Sequence, residues 1–195
     1  MFEEILKLDS KLFLFLNNLG TPKFDTFWIS LSMIEANILM YLFLIFLLFY
    51  IQKKPPKFLY IFYLFSVIAL MITITDQGAN IFKDSFQRLR PCYDESIKDS
   101  LRLVKENCGG KYGFFSAHAS NSFSLAIFFG LLFKNRMRYI IIITMIYALL
   151  ISYSRIYLGV HFPIDIIVGS SFGICVGIIM YSFVYLKFLK FFNKT

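Results

Sequence analysis

Three short stretches of this 195-residue chain hold polar side chains that packing alone does not call for. They are "KDSFQRLRP" with Lys83 and Arg90, "FFSAHASNS" with Ser116, Ala117 and His118, and "SRIYLGVHFPID" with Arg155, His161 and Asp165. Lys83, Arg90 and Arg155 supply three cations, and the two guanidinium forks suit bidentate contact with phosphoryl oxygens. Ser116 to His118 open an apolar helix, where free backbone N–H groups and the helix dipole favour an anion. His118 and His161 are the chain's two histidines, and beside an anion site such a pair can divide nucleophile and acid duties. Pro163 suits the first position of a helix, which makes Phe162 its cap and Asp165 its third residue. From there the carboxylate can reach back to His161, fixing its tautomer and stabilising the imidazolium. The outer face offers no convincing cluster of metal ligands, so neither a metal nor another cofactor is expected.

The elements that must position these groups are membrane helices. Hydrophobic residues make up 58% of the chain, mean hydropathy is +0.67, and there are 25 phenylalanines. This composition predicts an all-α, polytopic membrane bundle forming a single domain over 1–195. Phe2, Ile5, Leu6, Phe13 and Leu16 recur among charges at helical spacing, which suits an interfacial helix over about 2–18. Spans follow near 26–51, 58–82, 116–133, 139–158 and 163–186, giving five crossings. The start is acidic as well as basic and carries no cleavage site after an apolar core, so the N-terminus is expected to be retained.

The net charge of +8 is explained by basic residues flanking the spans, and no basic-aromatic module points to nucleic acid. Lys53, Lys54 and Lys57, then Lys134, Arg136 and Arg138, then Lys187, Lys190 and Lys194 fall on one side by alternation. That side is cytoplasmic by the positive-inside rule, so all three polar stretches face outward. Cys92 and Cys108 share the long outer loop, where an oxidising compartment permits a disulfide; two free thiols are the alternative. Arg88, Lys98, Arg102, Lys105 and Lys111 read as ordinary loop charge. Ser154 either packs its helix or contacts the anion. Glu35 and Asp76 are the other acids within spans; Glu35 is either a substrate contact or a residue near the interface.

The three stretches resemble the type-2 phosphatidic acid phosphatase, or lipid phosphate phosphatase, superfamily. Its pattern is lysine, six residues, Arg-Pro; Pro-Ser-Gly-His; and Ser-Arg, five residues, His, three residues, Asp. Lys83, Arg90 and Pro91 match the first part, Ser116 and His118 the second, and Ser154, Arg155, His161 and Asp165 the third. Phe115 and Ala117 stand where the family usually has proline and glycine, although alanine keeps the backbone N–H. The resemblance implies a compact bacterial inner-membrane phosphatase that needs no metal. His161 attacks phosphorus, His118 protonates the leaving group and then activates water, and Asp165 orients His161. Lys83, Arg90, Ser116, Ala117 and Arg155 hold the phosphoryl oxygens.

The leading substrate on that reading is undecaprenyl diphosphate, ahead of lipid A 1-phosphate and phosphatidylglycerophosphate. A non-hydrolytic headgroup carrier or flippase is the rival of another class, and the full His118, His161 and Asp165 set argues against it. An enzyme passing the phosphoryl group to another lipid shares every motif. A soluble haloperoxidase, a relative with similar motifs, is disfavoured by the five spans. No obligate protein partner is inferred.

Overall fold

The computed structural model describes residues 2–51, 58–105 and 107–192. Lys53, Lys54, Lys57 and Lys194 lie outside them. The described elements are α1 (Phe2–Asn18), α2 (Asp25–Ser32), α3 (Ile34–Ile51), α4 (Phe58–Phe86), α5 (Ala117–Phe133), α6 (Ile140–Tyr157), α7 (Pro163–Ile179) and α8 (Leu186–Phe192). A π-helical segment, Met180–Tyr185, continues α7 into α8. Among the described residues, four stretches are long and apolar enough to cross a membrane: Ile34–Ile51, Phe58–Phe86, Ile140–Tyr157 and Pro163–Lys190. α5 is apolar but shorter.

The continuous first span expected over 26–51 is instead broken. Met33 is extended, with φ −76° and ψ 143°, so α2 and α3 meet at a corner. Backbone carbonyls freed by such a break need partners in an apolar setting. Asn37 supplies them, its amide donating to the carbonyls of Leu31 (3.2 Å) and Met33 (2.6 Å). Its own oxygen accepts from the Tyr147 hydroxyl at 3.1 Å.

α1 differs from the simple interfacial helix of the sequence reading. Asp9, Phe13 and Asn17, four residues apart, form a buried stripe packed on α6 and α7. The Asn17 amide reaches the carbonyls of Arg102, Ile156 and Tyr157, each at 3.0 Å, and its oxygen accepts from the Arg102 N–H at 2.7 Å. The Phe13 ring meets Phe162 edge-on at 5.3 Å.

α5 and α7 run side by side as the tightest helix pair. A Cβ at Gly169, Gly173 or Gly177 would stand 2.6, 2.2 or 2.6 Å from the carbonyl oxygens of Ser116, Ser120 and Ser124. Small residues at this spacing let helix backbones approach. Phe115, in the position usual for proline, is fully buried between Phe82 and Phe172. A second apolar cluster joins α3, α4, α5 and the C-terminal helices at the other end, around Leu44, Leu64, Met71, Phe128 and Tyr185.

Candidate active site

The last turn of α4, the start of α5, the end of α6 and the start of α7 meet at one end of the bundle. They bring together residues far apart in the chain. Lys83 sits in the last turn of α4, which continues to Phe86 rather than ending at 82. After it the chain reverses, and Arg90 is held by a short antiparallel bridge between Leu89 and Tyr112. The Arg90 guanidinium donates from Nε to the Tyr112 carbonyl (3.2 Å) and from Nη1 to the Cys108 carbonyl (3.0 Å). Cys92 and Cys108 are joined, with their Cα atoms 6.5 Å apart.

Arg155 lies in the last turn of α6, almost fully buried at 6% exposure. Nη1 donates to the Ser32 hydroxyl at the α2–α3 corner, while Nε has no partner among the described residues. A stranded guanidinium N–H in a buried setting is costly unless an acceptor arrives. Ser154 turns back on its own helix, its hydroxyl donating to Ile151 at 2.6 Å. Gly159, at φ +81°, then ends α6 in the left-handed conformation that glycine adopts without strain.

His161 follows in the connection to α7 and is 2% exposed. Burial, and then the charges of Arg90, Arg155 and Lys83, hold its imidazole well below the ordinary value. Its Nδ1 lies 3.4 Å from Oδ2 of Asp165. The predicted cap is present: Pro163 is the first residue of α7, and the Phe162 N–H donates to the same Oδ2 at 3.0 Å. His118, in the first turn of α5, feels the charges of Arg155 and Lys105 and neighbours His161 electrostatically.

The helix start of α5 departs from expectation in one respect. Ser116 caps it, its hydroxyl accepting from the Ala119 N–H at 3.4 Å, but its own N–H donates to the Asp165 carbonyl at 3.1 Å. Of the proposed N–H donors, Ala117 and His118 are left without intrahelical partners, as the first residues of any helix are.

Three charges read as ordinary do specific work. Arg88 donates to Asp165 Oδ1 at 2.8 Å and to Asp9 Oδ2 at 2.5 Å, with its guanidinium 4.2 Å above the Phe162 ring. The second oxygen of Asp9 accepts from the Ile164 N–H at 2.9 Å. Burial raises the Asp9 carboxyl above its usual range even so. Arg102 pairs with Asp25 at 2.6 Å, and Lys105 acts electrostatically on both Arg155 and His118. Sequence spacing held no signal for Arg88–Asp9, since the two lie 79 residues apart. Lys98 pairs with exposed Glu95. Among the described residues no three His, Cys, Asp or Glu side chains gather as a metal site.

A model of the PAP2 superfamily matches residues 59–189. A lipid A 4'-phosphatase of Porphyromonas gingivalis is 40% identical over 180 residues, covering 92% of this chain and 74% of that protein. A lipid A 4'-phosphatase of Bacteroides thetaiotaomicron is 35% identical over 175 residues, covering 89% and 75%. The crystal structure of Aquifex aeolicus LpxE superposes with a TM-score of 0.66 at 27% identity, covering 89% of this chain and 94% of that one. A PAP2 type phosphatidylglycerolphosphate phosphatase from Bacillus subtilis, at 17% identity and TM-score 0.67 over 92% and 86% of the two chains, shares the fold.

Proposed function

The chain belongs to the PAP2 superfamily and is a metal-independent lipid phosphate phosphatase of multi-pass membrane type; from that premise we propose that its substrate is lipid A, dephosphorylated on the extracytoplasmic face. Two relatives named for the lipid A 4'-position, each aligned over most of its length, support this choice over undecaprenyl diphosphate, lipid A 1-phosphate and phosphatidylglycerophosphate. Lys134, Arg136 and Arg138, between α5 and α6, and Lys187 and Lys190, in α8, lie at the opposite end of these helices from the site. That distribution supports an outward-facing site.

The observation that carries the chemical reading is the buried Nε of Arg155, unpartnered among the described residues, beside two histidines under the same cationic field. A phosphoryl group bound by Arg155, Arg90, Lys83 and the Ala117 and His118 N–H groups satisfies that donor. With His161 Nδ1 turned to Asp165, Nε2 is the nitrogen that attacks phosphorus in this reading. The bond to the lipid oxygen breaks as His118 gives that oxygen its proton. His118 then takes a proton from water, whose oxygen attacks the phosphohistidine, and phosphate leaves as the P–N bond breaks.

The test is phosphate release by the purified protein from lipid A, undecaprenyl diphosphate, phosphatidylglycerophosphate and phosphatidic acid, with mass-spectrometric assignment of the lipid A position cleaved. The expected result is preference for lipid A at the 4'-position and no turnover by His161→Ala. Turnover of undecaprenyl diphosphate at equal or greater efficiency overturns the substrate assignment, and activity persisting in His161→Ala overturns the mechanism.

A further inference from the structure

A cleft of about 280 Å³ opens between α3, α4, α5 and α6, and His118 forms part of its wall. Ile34, Ile38 and Ile72 make it largely apolar, and Ile34 and Ile38 are exposed on the outside of the bundle. Its polar lining besides His118 is Asn37 and Tyr41 of α3, Asp76 of α4, and Asn121 and Ser122 of α5, of which Asp76 alone carries a negative charge. Asn121 follows His118 by three residues, so it lies on the same helix face about one turn deeper.

The hydrogen bonds of Asp76 and Asn121 are unevenly used. Asn121 donates from Nδ2 to Asp76 Oδ1 at 2.8 Å, and its oxygen accepts from the Thr75 hydroxyl. Those contacts clamp α4 to α5. Asp76 Oδ2 takes no part in the clamp and has no hydrogen-bond partner among the described residues. Asp76 is half-buried rather than enclosed and lies within electrostatic reach of Lys83, so its second oxygen is open to a donor entering the cleft. Being acceptor-only, it calls for a neutral group with O–H or N–H donors and opposes an anion.

We propose that this cleft holds the leaving alcohol of the substrate, a sugar bearing hydroxyl or amide donors, with Asp76 Oδ2 accepting from one of them and Asn121 holding the carboxylate in place. The proposal rests on the reading of His118 as the acid that protonates the leaving oxygen, because that reading puts the leaving group on the His118 side of phosphorus. The cations then bind one phosphoryl group while the carboxylate discriminates by what is attached to it. A sugar monophosphate ester departs as a neutral, donor-rich alcohol. A prenyl diphosphate departs as a phosphate monoester anion, which the carboxylate repels. Asp76 is thereby a specificity residue separating the two substrate classes, and the apolar walls of the cleft suit the acyl chains.

The test compares kcat/KM for lipid A and undecaprenyl diphosphate in the same mixed micelles for the wild type and Asp76→Asn. A hydrogen bond to a charged group sets the expected scale: the preference for lipid A falls by roughly 10- to 100-fold in the variant. A ratio within about twofold of wild type, on a scale where one such bond gives tenfold or more, overturns the subsite. If lipid A is turned over and His161→Ala is inactive in that same case, the phosphatase reading stands while the subsite falls. A wild type that acts on neither lipid overturns both. A measurement on the wild type alone covers a variant that fails to fold. Dodecyl N-acetylglucosaminide should inhibit hydrolysis of a short-chain phosphatidic acid more strongly than a dodecyl ether without hydroxyls, and equal inhibition by the two overturns the proposal.

Discussion

The two sides of the site are built to different tolerances. On the α5–α7 side, backbones nearly touch at Gly169, Gly173 and Gly177, and the Asp165 carboxylate is enclosed by Arg88, the Phe162 N–H and His161. On the α3 side, Leu44, Ile45 and Leu48 pack at the far end of the helix, while Ile34, Ile38 and Leu39 near the site stay exposed. The tightly packed side carries His161 and Asp165, the proposed catalytic pair, whose relative position must hold within a fraction of an ångström for that chemistry. The open side borders the cleft and can admit a bulky lipid. Tight packing is spent where geometry sets the rate.

The sharpest way to break this contrast is Gly173→Leu. A side chain there must displace the Ser120 backbone, 2.2 Å from a Cβ, and with it the helix that carries His118. Turnover should vanish and the thermal unfolding midpoint should collapse, since overpacking against backbone has no soft partner to yield. Next in size, Asp165→Asn should retain the fold and lower kcat roughly 10²- to 10⁴-fold, the scale for neutralising the carboxylate that orients a histidine. Stopped assays on detergent-purified protein, with a melting curve as control, check both.

Arg88→Ala probes how that carboxylate is held. It leaves Asp9 and Asp165 facing each other without their shared cation, and stability should fall on the order of 3 kcal/mol. Adding Asp9→Asn should recover part of the loss, the sign of a direct coupling in a double-mutant cycle. At the small end, Leu39→Ala on the exposed face of α3 should stay within about 0.5 kcal/mol of wild type. A large loss there would mean the α3 side is packed against something and the contrast is wrong.

The pH dependence of stability follows from His161. Its imidazole is held well below the ordinary 6.5 by burial and by Arg90, Arg155 and Lys83. As pH falls through that ordinary value, the unfolded chain takes up a proton that the folded site refuses. This one group therefore costs stability, by up to about 1.4 kcal/mol per pH unit, until the folded value is reached. Melting curves between about pH 7.5 and 5, the range in which imidazole titrates, should show a shallower loss for His161→Asn than for the wild type. Equal slopes would mean His161 titrates normally.

Much of the candidate site's local geometry was legible because its parts are close in sequence. Lys83 and Arg90, Ser116 and His118, and Arg155, His161 and Asp165 each fall within one short stretch, where spacing reflects helix ends and caps. The Pro163 start and the Asp165 reach-back depend on residues a few positions apart. The sequence reading drew nothing from Gly169, Gly173 and Gly177, whose four-residue spacing gains its meaning only once α5 lies against them. Arg88 and Arg102 were missed because their carboxylate partners lie on other elements, and a charge in a loop looks the same whether or not a carboxylate waits across the fold.

The sequence by itself determined the membrane class, the helical bundle and the order of its long apolar helices, and it marked out the polar stretches as candidates for chemistry, because hydropathy, periodicity and capping act over one or two turns. Only the tertiary structure decided which cations serve as partners and which stay open, that α2 and α3 meet at a corner, and that α1 is bolted to the start of α7 through Asp9 and Arg88. Those outcomes depend on desolvation and distance between segments up to 155 residues apart, and neither quantity exists until the chain has packed.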